Sequence, residues 1–335
     1  MSDIKASAEI RSTRGGRIKP FFKSLLGSYS FVLSFLILVA IAMYFNPKFL
    51  KYANVMTLLS NSTITGIIAC GMTMVIISGQ IDLSVGSMVS IVAGLGVLIL
   101  NATGSILLML LFCLTFGLIL GAINGGLIAY MKLPAFIATL ATQCIYRSVI
   151  TQIGQGGPFT VSRDVLARFS SISVGKFFNS IPHLPLFLIA VVLLTGFLLS
   201  RTKTGRYIYA VGSNEKAASL TGIKTKHIKM YVFSYLGLLV GMSAFLLTSR
   251  MSSVTASNAG AGYELDAIAA VAIGGTSMSG GRGKMIGTFL GALMMQMIST
   301  ILIAAKIDPF LTGLVKGIII IVAVAFQGMN TSKNT

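Results

Sequence analysis

Few side chains in this 335-residue chain could do chemistry, and most of those are lone charges among apolar residues. Asp82 stands in Gly79-Gln80-Ile81-Asp82-Leu83-Ser84-Val85-Gly86, between two long charge-free runs. A carboxylate beside hydrocarbon is costly, so its presence needs a reason, and two are open. Asp82 or Ser84 can cap the helix that follows, satisfying amides that a bilayer leaves bare. Alternatively, Gln80, Asp82 and Ser84 line a translocation path, where amide, carboxylate and hydroxyl exchange hydrogen bonds with a hydroxylated solute. Arg147 and Lys316 interrupt apolar stretches in the same way. Their long stems can snorkel to the headgroups, or their charges can pair with a carboxylate inside a bundle. Glu264 and Asp266 precede a short apolar segment, placed to cap it or to meet an external partner. Arg282 and Lys284, between glycines, suit surface anchoring or a second contact with a partner on the same face.

Other chemistry is missing from the pattern. There is no Gly-x-x-x-x-Gly-Lys-Ser/Thr loop, so the chain has no P-loop of its own for ATP. There is no His-Glu-x-x-His and no nucleophile elbow. His183 and His227 lack a ligand partner at helical spacing, and no metal site is expected. Cys70, Cys113 and Cys144 fall in apolar runs, without metal or disulfide spacing, and read as small apolar fillers.

The elements that position these residues must be membrane helices. The composition is 55% hydrophobic and 10% charged, with a mean hydropathy of +0.88. Charge-free intervals run over Ser24–Pro47, Tyr52–Ile81, Leu83–Met131, Phe177–Ser200, Met230–Ser249 and Met285–Ala305. A bilayer crossing takes roughly 20 apolar residues. An all-α polytopic membrane protein follows, with about ten transmembrane helices, some short or broken. They are expected near Tyr29–Phe45, Val55–Ser78, from the Asp82 segment to Leu100, Ile106–Tyr130, Ala135–Ile153, Leu186–Ser200, Met230–Ser249, Ala267–Ser277, Met285–Ala304 and Pro309–Gln327. The eighth, followed by a glycine-rich stretch, either crosses or re-enters. Glycines 117, 121, 125, 126, 287 and 291 suit close helix packing.

The net charge of +18 lies mostly beside the spans: in the basic N-terminal tail (1–28) and in the connector Arg201–Lys229. That is the positive-inside signature of a protein facing membrane lipid. Nucleic acid is not an expected partner, because the cations are not interleaved with aromatics as in a binding module. The basic N-terminal stretch leads into a full-length span without a small-residue cleavage site, unlike a signal peptide. Six crossings from an internal N-terminus put the connector inside and 154–185 outside. Ten return the C-terminal tail (328–335) to the cytoplasm.

Within the connector lies a polar island, Gly212-Ser-Asn-Glu-Lys-Ala-Ala-Ser-Leu-Thr-Gly222. Asn214 suits an N-cap, Glu215 a first turn and Gly222 a C-terminal stop. The spacing of Ala217, Ala218 and Gly222 resembles the coupling loop of ATP-binding-cassette (ABC) importer permeases. Gly71 to Ser87, containing Ile-Asp-Leu-Ser-Val-Gly, resembles a signature of the monosaccharide, ribose-type members of that family. Gly262–Val271 and Gly274–Gly283 resemble its second signature, in the same order around the loop.

The resemblance covers roughly Phe31 to Gln327 and makes residues 29–327 an importer transmembrane domain with its coupling loop at 201–229. It implies a permease of the bacterial cytoplasmic (inner) membrane, working as two copies in a homodimer. An external sugar-binding protein would supply the solute and a separate ATPase would use the ATP, so this chain is a transport subunit and not an enzyme. Asn214, Glu215, Lys216, Ala217, Ala218 and Gly222 would then meet the ATPase. Lys216 occupies the place where classical loops carry the Glu of Glu-Ala-Ala, with Glu215 one step earlier. An ion-coupled secondary transporter is the alternative; it needs intramembrane ionisable groups, and leaves the polar island without a purpose.

Overall fold

The computed structural model describes residues 30–178, 180–308, 311, 313–318 and 321. The two tails and most of the tenth expected span lie outside them. Helices occupy the first charge-free runs as α1 Ser30–Phe45, α2 Tyr52–Ile77, α3 Val85–Thr103 and α4 Ile106–Ala129, and α5 Ala135–Ile153 follows with Arg147 in it. After β1 (Pro158–Thr160) come α6 (Arg163–Val174), β2 (Lys176–Phe177) and β3 (Ile181–Pro182). Then follow α7 His183–Arg201, α8 Lys203–Ser213, α9 Glu215–Leu220, α10 Thr225–Met251, β4 Ser253–Thr255, α11 Tyr263–Ile273 and α12 Met285–Ala304.

Six of the described helices are long and apolar enough to cross a membrane: α2, α3, α4, α7, α10 and α12. A shorter apolar helix, Val32–Phe45, lies within α1. The architecture is that of a helical, polytopic membrane protein. α5 matches α3 in length but carries Thr139, Thr142, Gln143 and Arg147. α2 and α3 are the most enclosed, whereas α4 and α7 show broad apolar faces to the surroundings.

Backbone contact sets the tightest packing. Gly117 and Gly121 of α4 lie against Gly237 and Gly241 of α10, and a Cβ at any of them would strike the partner backbone. Gly125 packs on Met230 and Phe233 of α10, and Gly287 and Gly291 of α12 on Gly274 and Ala270. Small residues at four-residue spacing allow helix axes this approach. Gly126, expected to pack likewise, has nothing close to it.

Two contact sets define the ends of the bundle. At one, the Gly281 amide donates to the Ile77 carbonyl at the end of α2 (2.9 Å). At the other, β1 pairs antiparallel with β4, Phe159 opposite Val254. The stretch expected as a plain external loop, 154–185, contains α6, which ties down the end of α10. Ser249 Oγ donates to the Phe169 carbonyl (2.7 Å) and Ser173 Oγ to that of Leu246 (3.1 Å).

The segment expected as an eighth crossing near Ala267–Ser277 differs from an ordinary span. Its helix, α11, has 11 residues, about 16 Å, half a bilayer core. The chain from Ser252 to Lys284 nevertheless joins the two ends, as strand, irregular backbone, half-length helix and glycine-rich loop.

Candidate functional site

The non-helical backbone inside the bundle lies in two places, and the candidate residues gather there. In the first, α2 ends at Ser78, Gly79 turns the chain at φ +81, and residues 80–84 lead into α3. Asp82 is fully buried. Its Oδ1 accepts from the Ser84 amide (2.7 Å) and the Ser84 hydroxyl (2.6 Å), while Oδ2 accepts from Asn124 Nδ2 of α4 (3.2 Å). Asn124 Nδ2 also donates to Ser84 Oγ (2.8 Å), and the Leu83 amide to Thr139 Oγ1 of α5 (3.1 Å). The turn between spans is therefore held by its own Ser84 and by polar side chains of two helices, α4 and α5, as irregular backbone at this depth requires. Ser84 holds the N-cap position but makes no side-chain cap bond; Asp82 bonds the amide two residues on, as in an Asx turn.

The second place is 256–262. Arg147 Nη1 donates to the carbonyls of Ala256 (2.7 Å) and Ala259 (2.8 Å), and Ser90 Oγ donates to Ala256 as well (2.7 Å). Arg147 thus meets backbone carbonyls, which neither expectation for it included. The first turn of α3 meets this second segment at Gly86 and Gly260, where a Cβ on either would collide with the other's carbonyl. Glu264 lies beside this crossing in the first turn of α11. Lys316 does pair with a carboxylate, Asp266, with Nζ to oxygen distances of 2.9 and 3.0 Å. Arg250 at the end of α10 donates to the Ser60 carbonyl (3.3 Å) and closely to Asn61 Oδ1 of α2.

At the connector end, Asn214 caps α9 with its side chain, Oδ1 accepting from the Ala217 amide at 3.0 Å. Gly222 stands at φ +86, so the stop is a left-handed residue. Glu215 pairs with Lys229 of α10 (2.8 Å). Ala217 and Lys216 are exposed, but Ala218 is buried in the chain's own core. Leu220 at the helix end is 90% exposed, the highest value among the exposed large hydrophobic residues described. Gln80 is separated from Asp82 and Ser84: it lines a cleft at this end with Lys132, Glu215, Thr225, Lys226 and Lys229. Arg282 and Lys284 are exposed in the loop before α12. That loop meets α8, where Tyr209 donates its hydroxyl to the Gly283 carbonyl (2.8 Å).

The residues that sequence reasoning passed over are Asn124, Tyr209 and Leu220. Asn124 offered a signal, as one of two polar side chains in α4, the other being Thr115. The other two offered none, because their partners or their exposure depend on the fold. Among the described residues no three His, Cys, Asp or Glu side chains come together as a metal site.

Comparison with known proteins bears on the whole chain. The ribose import permease protein RbsC of Haemophilus influenzae is 37% identical over 302 residues, covering 90% of this chain and 92% of its own. RbsC of Bacillus subtilis is 40% identical over 293 residues, covering 87% and 90%. The xylose transport system permease protein XylH of Escherichia coli is 33% identical, covering 86% and 88%. No solved structure matches. A family model described as the permease component of branched-chain amino acid transport systems matches residues 54–324, and the chain belongs to that permease family as a multi-pass protein of the bacterial inner membrane.

Proposed function

We propose that the chain is the membrane-spanning permease of an ABC importer for a monosaccharide, ribose or a related sugar. The observation that carries this is the near full-length match to permeases whose names specify ribose and xylose. The family description names amino acids, but these relatives, which align over 86% to 90% of the chain, name sugars. The ion-coupled alternative is not supported by these relatives.

In this reading an external binding protein delivers the sugar, two permease copies form the path, and a separate ATPase binds and hydrolyses ATP. The chain crosses ten times, with both termini and the Arg201–Lys229 connector in the cytoplasm. Its capped helix α9 inserts into a cleft of the ATPase, and Arg282 and Lys284 offer a second contact. Ala217 and Leu220 make the contact, since Ala218 is occupied within the permease and Glu215 is engaged by Lys229. The Gln80–Asp82–Ser84 segment serves the path chiefly by holding the turn at the start of α3. Selectivity rests with the binding protein, because a permease that held sugar tightly would impede release.

The test is reconstitution of the permease with its ATPase and binding protein in liposomes. Uptake of labelled D-ribose or D-xylose should require all three proteins and ATP. Uptake driven by an ion gradient without ATP would overturn the reading.

A further inference from the structure

Helix α9 is six residues long and joined to α8 through one residue, Asn214, the C-cap of α8 and the N-cap of α9. The contacts of α8 therefore decide where a displacement of α9 travels. At its end, Gly212 lies against the Ile77 carbonyl of α2 and the Gly281 amide, so closely that no Cβ fits. The same Gly281 amide donates to the Ile77 carbonyl (2.9 Å), so three chain segments meet around one peptide group. A Cβ on Gly280 would stand 2.8 Å from the Gly212 carbonyl oxygen and 3.0 Å from the Gly79 Cα. Contacts between rigid backbones cannot yield as side-chain tips do, so these segments shift together.

One turn earlier, the Tyr209 hydroxyl bridges α8 to the Gly283 carbonyl at 2.8 Å. Burial pushes this phenol above its ordinary value, which keeps its proton in place as the donor. The loop held by Tyr209 and Gly212 continues back into α11, and Gly274 at the end of α11 rests on Gly287 of α12. The start of α11 lies beside Gly86 and the Gly260 crossing. A chain of contacts thus runs from α9 through α8 and the 274–284 loop to the irregular backbone inside the bundle.

We propose that Tyr209 and Gly212 form a transmission joint, which carries movement of the coupling helix onto α11 and the end of α2. They are positioning residues, and the inference rests on the permease reading above. Both residues are engaged within the permease, Tyr209 by the Gly283 carbonyl and Gly212 by Ile77 and Gly281, so altering the joint should uncouple transport and leave docking intact.

The experiment measures labelled D-ribose uptake and phosphate release together in liposomes holding the complete complex. The variants are Tyr209→Phe, Gly212→Ala and Tyr207→Phe, the last a control on the same helix that is 41% exposed. Tyr209→Phe should retain the ATPase and the half-saturating ribose concentration, while ribose moved per ATP falls about fivefold, the scale of one net hydrogen bond. Gly212→Ala should lower the ratio further, and Tyr207→Phe should leave it unchanged. An unchanged ratio in Tyr209→Phe overturns the joint, even if Gly212→Ala misfolds. Loss of the ATPase from Tyr209→Phe also overturns it, because that residue would then act in docking. Wild-type uptake driven by an ion gradient without ATP defeats the permease reading itself, and the joint falls with it.

Discussion

Asp82 earns its place in apolar surroundings by three hydrogen bonds, two to Ser84 and one to Asn124. Burial alone would penalise the carboxylate, and each of these bonds offsets part of that penalty. Asp82→Asn keeps the shape and one acceptor oxygen, and the Asn124 amide can turn to present its own oxygen to the new NH2. Asp82→Leu strips the Ser84 amide of its partner, at about 1–3 kcal/mol for a buried unsatisfied group. The expected result is near-normal abundance and uptake for Asn and low folded yield for Leu, read by size-exclusion chromatography and sugar uptake. Normal yield with abolished uptake for Asn would instead place the charge in the path. The sequence made Asp82 conspicuous as an isolated charge, but its partner Asn124 stands 42 positions away. Arg147 shows the same limit more strongly. Its acceptors are backbone carbonyls 109 and 112 residues away, and a carbonyl left over by irregular backbone has no letter in the sequence.

At the scale of the element, α9 was legible because capping is local. Asn214 and Gly222 lie within nine residues, and each acts on the backbone of its immediate neighbours. The facing of the helix was not legible, since six residues are too few to establish a periodic apolar stripe. Ala217 and Ala218 read as equivalent, yet one is exposed and the other buried in the permease. The two should therefore fail differently when enlarged. Ala217→Trp should leave permease abundance normal and abolish both ATPase co-purification and uptake. Ala218→Trp should reduce folded permease, because overpacking a filled core costs about 1–3 kcal/mol. A fully active Ala217→Trp variant with its ATPase still bound would remove α9 from the coupling role. The half-length α11 was legible as short and glycine-flanked. Its approach through 252–262 was not, because that path is held by strand β1, α3 and α5 rather than by local propensity.

Taken as a whole, the molecule gathers more of its cations at one end than at the other. Arg201, Lys203, Arg206, Lys216, Lys224, Lys226 and Lys229 belong to the connector that packs against the end of α2, and the loop bearing Arg282 and Lys284 joins them there. Lys132 lines the cleft at the same end. The opposite end carries β1, α6 and β4; its cations are fewer, with Arg163 and Arg168 sharing α6 with Asp164, Lys176 in β2, Lys48 and Lys51 before α2 and Arg250 at the end of α10. Cations retained beside spans favour the cytoplasmic side, so the connector end should face inward and α6 outward. Single cysteines read this out on a background of Cys70→Ala, Cys113→Ala and Cys144→Ala, with folded yield checked first because Cys70 and Cys113 are buried. Ser171→Cys, on exposed α6, should react with an impermeant maleimide in intact cells. Thr225→Cys, at the start of α10, should react only after the membrane is opened. Labelling of Thr225→Cys from outside would invert the orientation. It would also carry α9 to the wrong side of the membrane for an ATPase, so this one measurement constrains the topology and the energy source together.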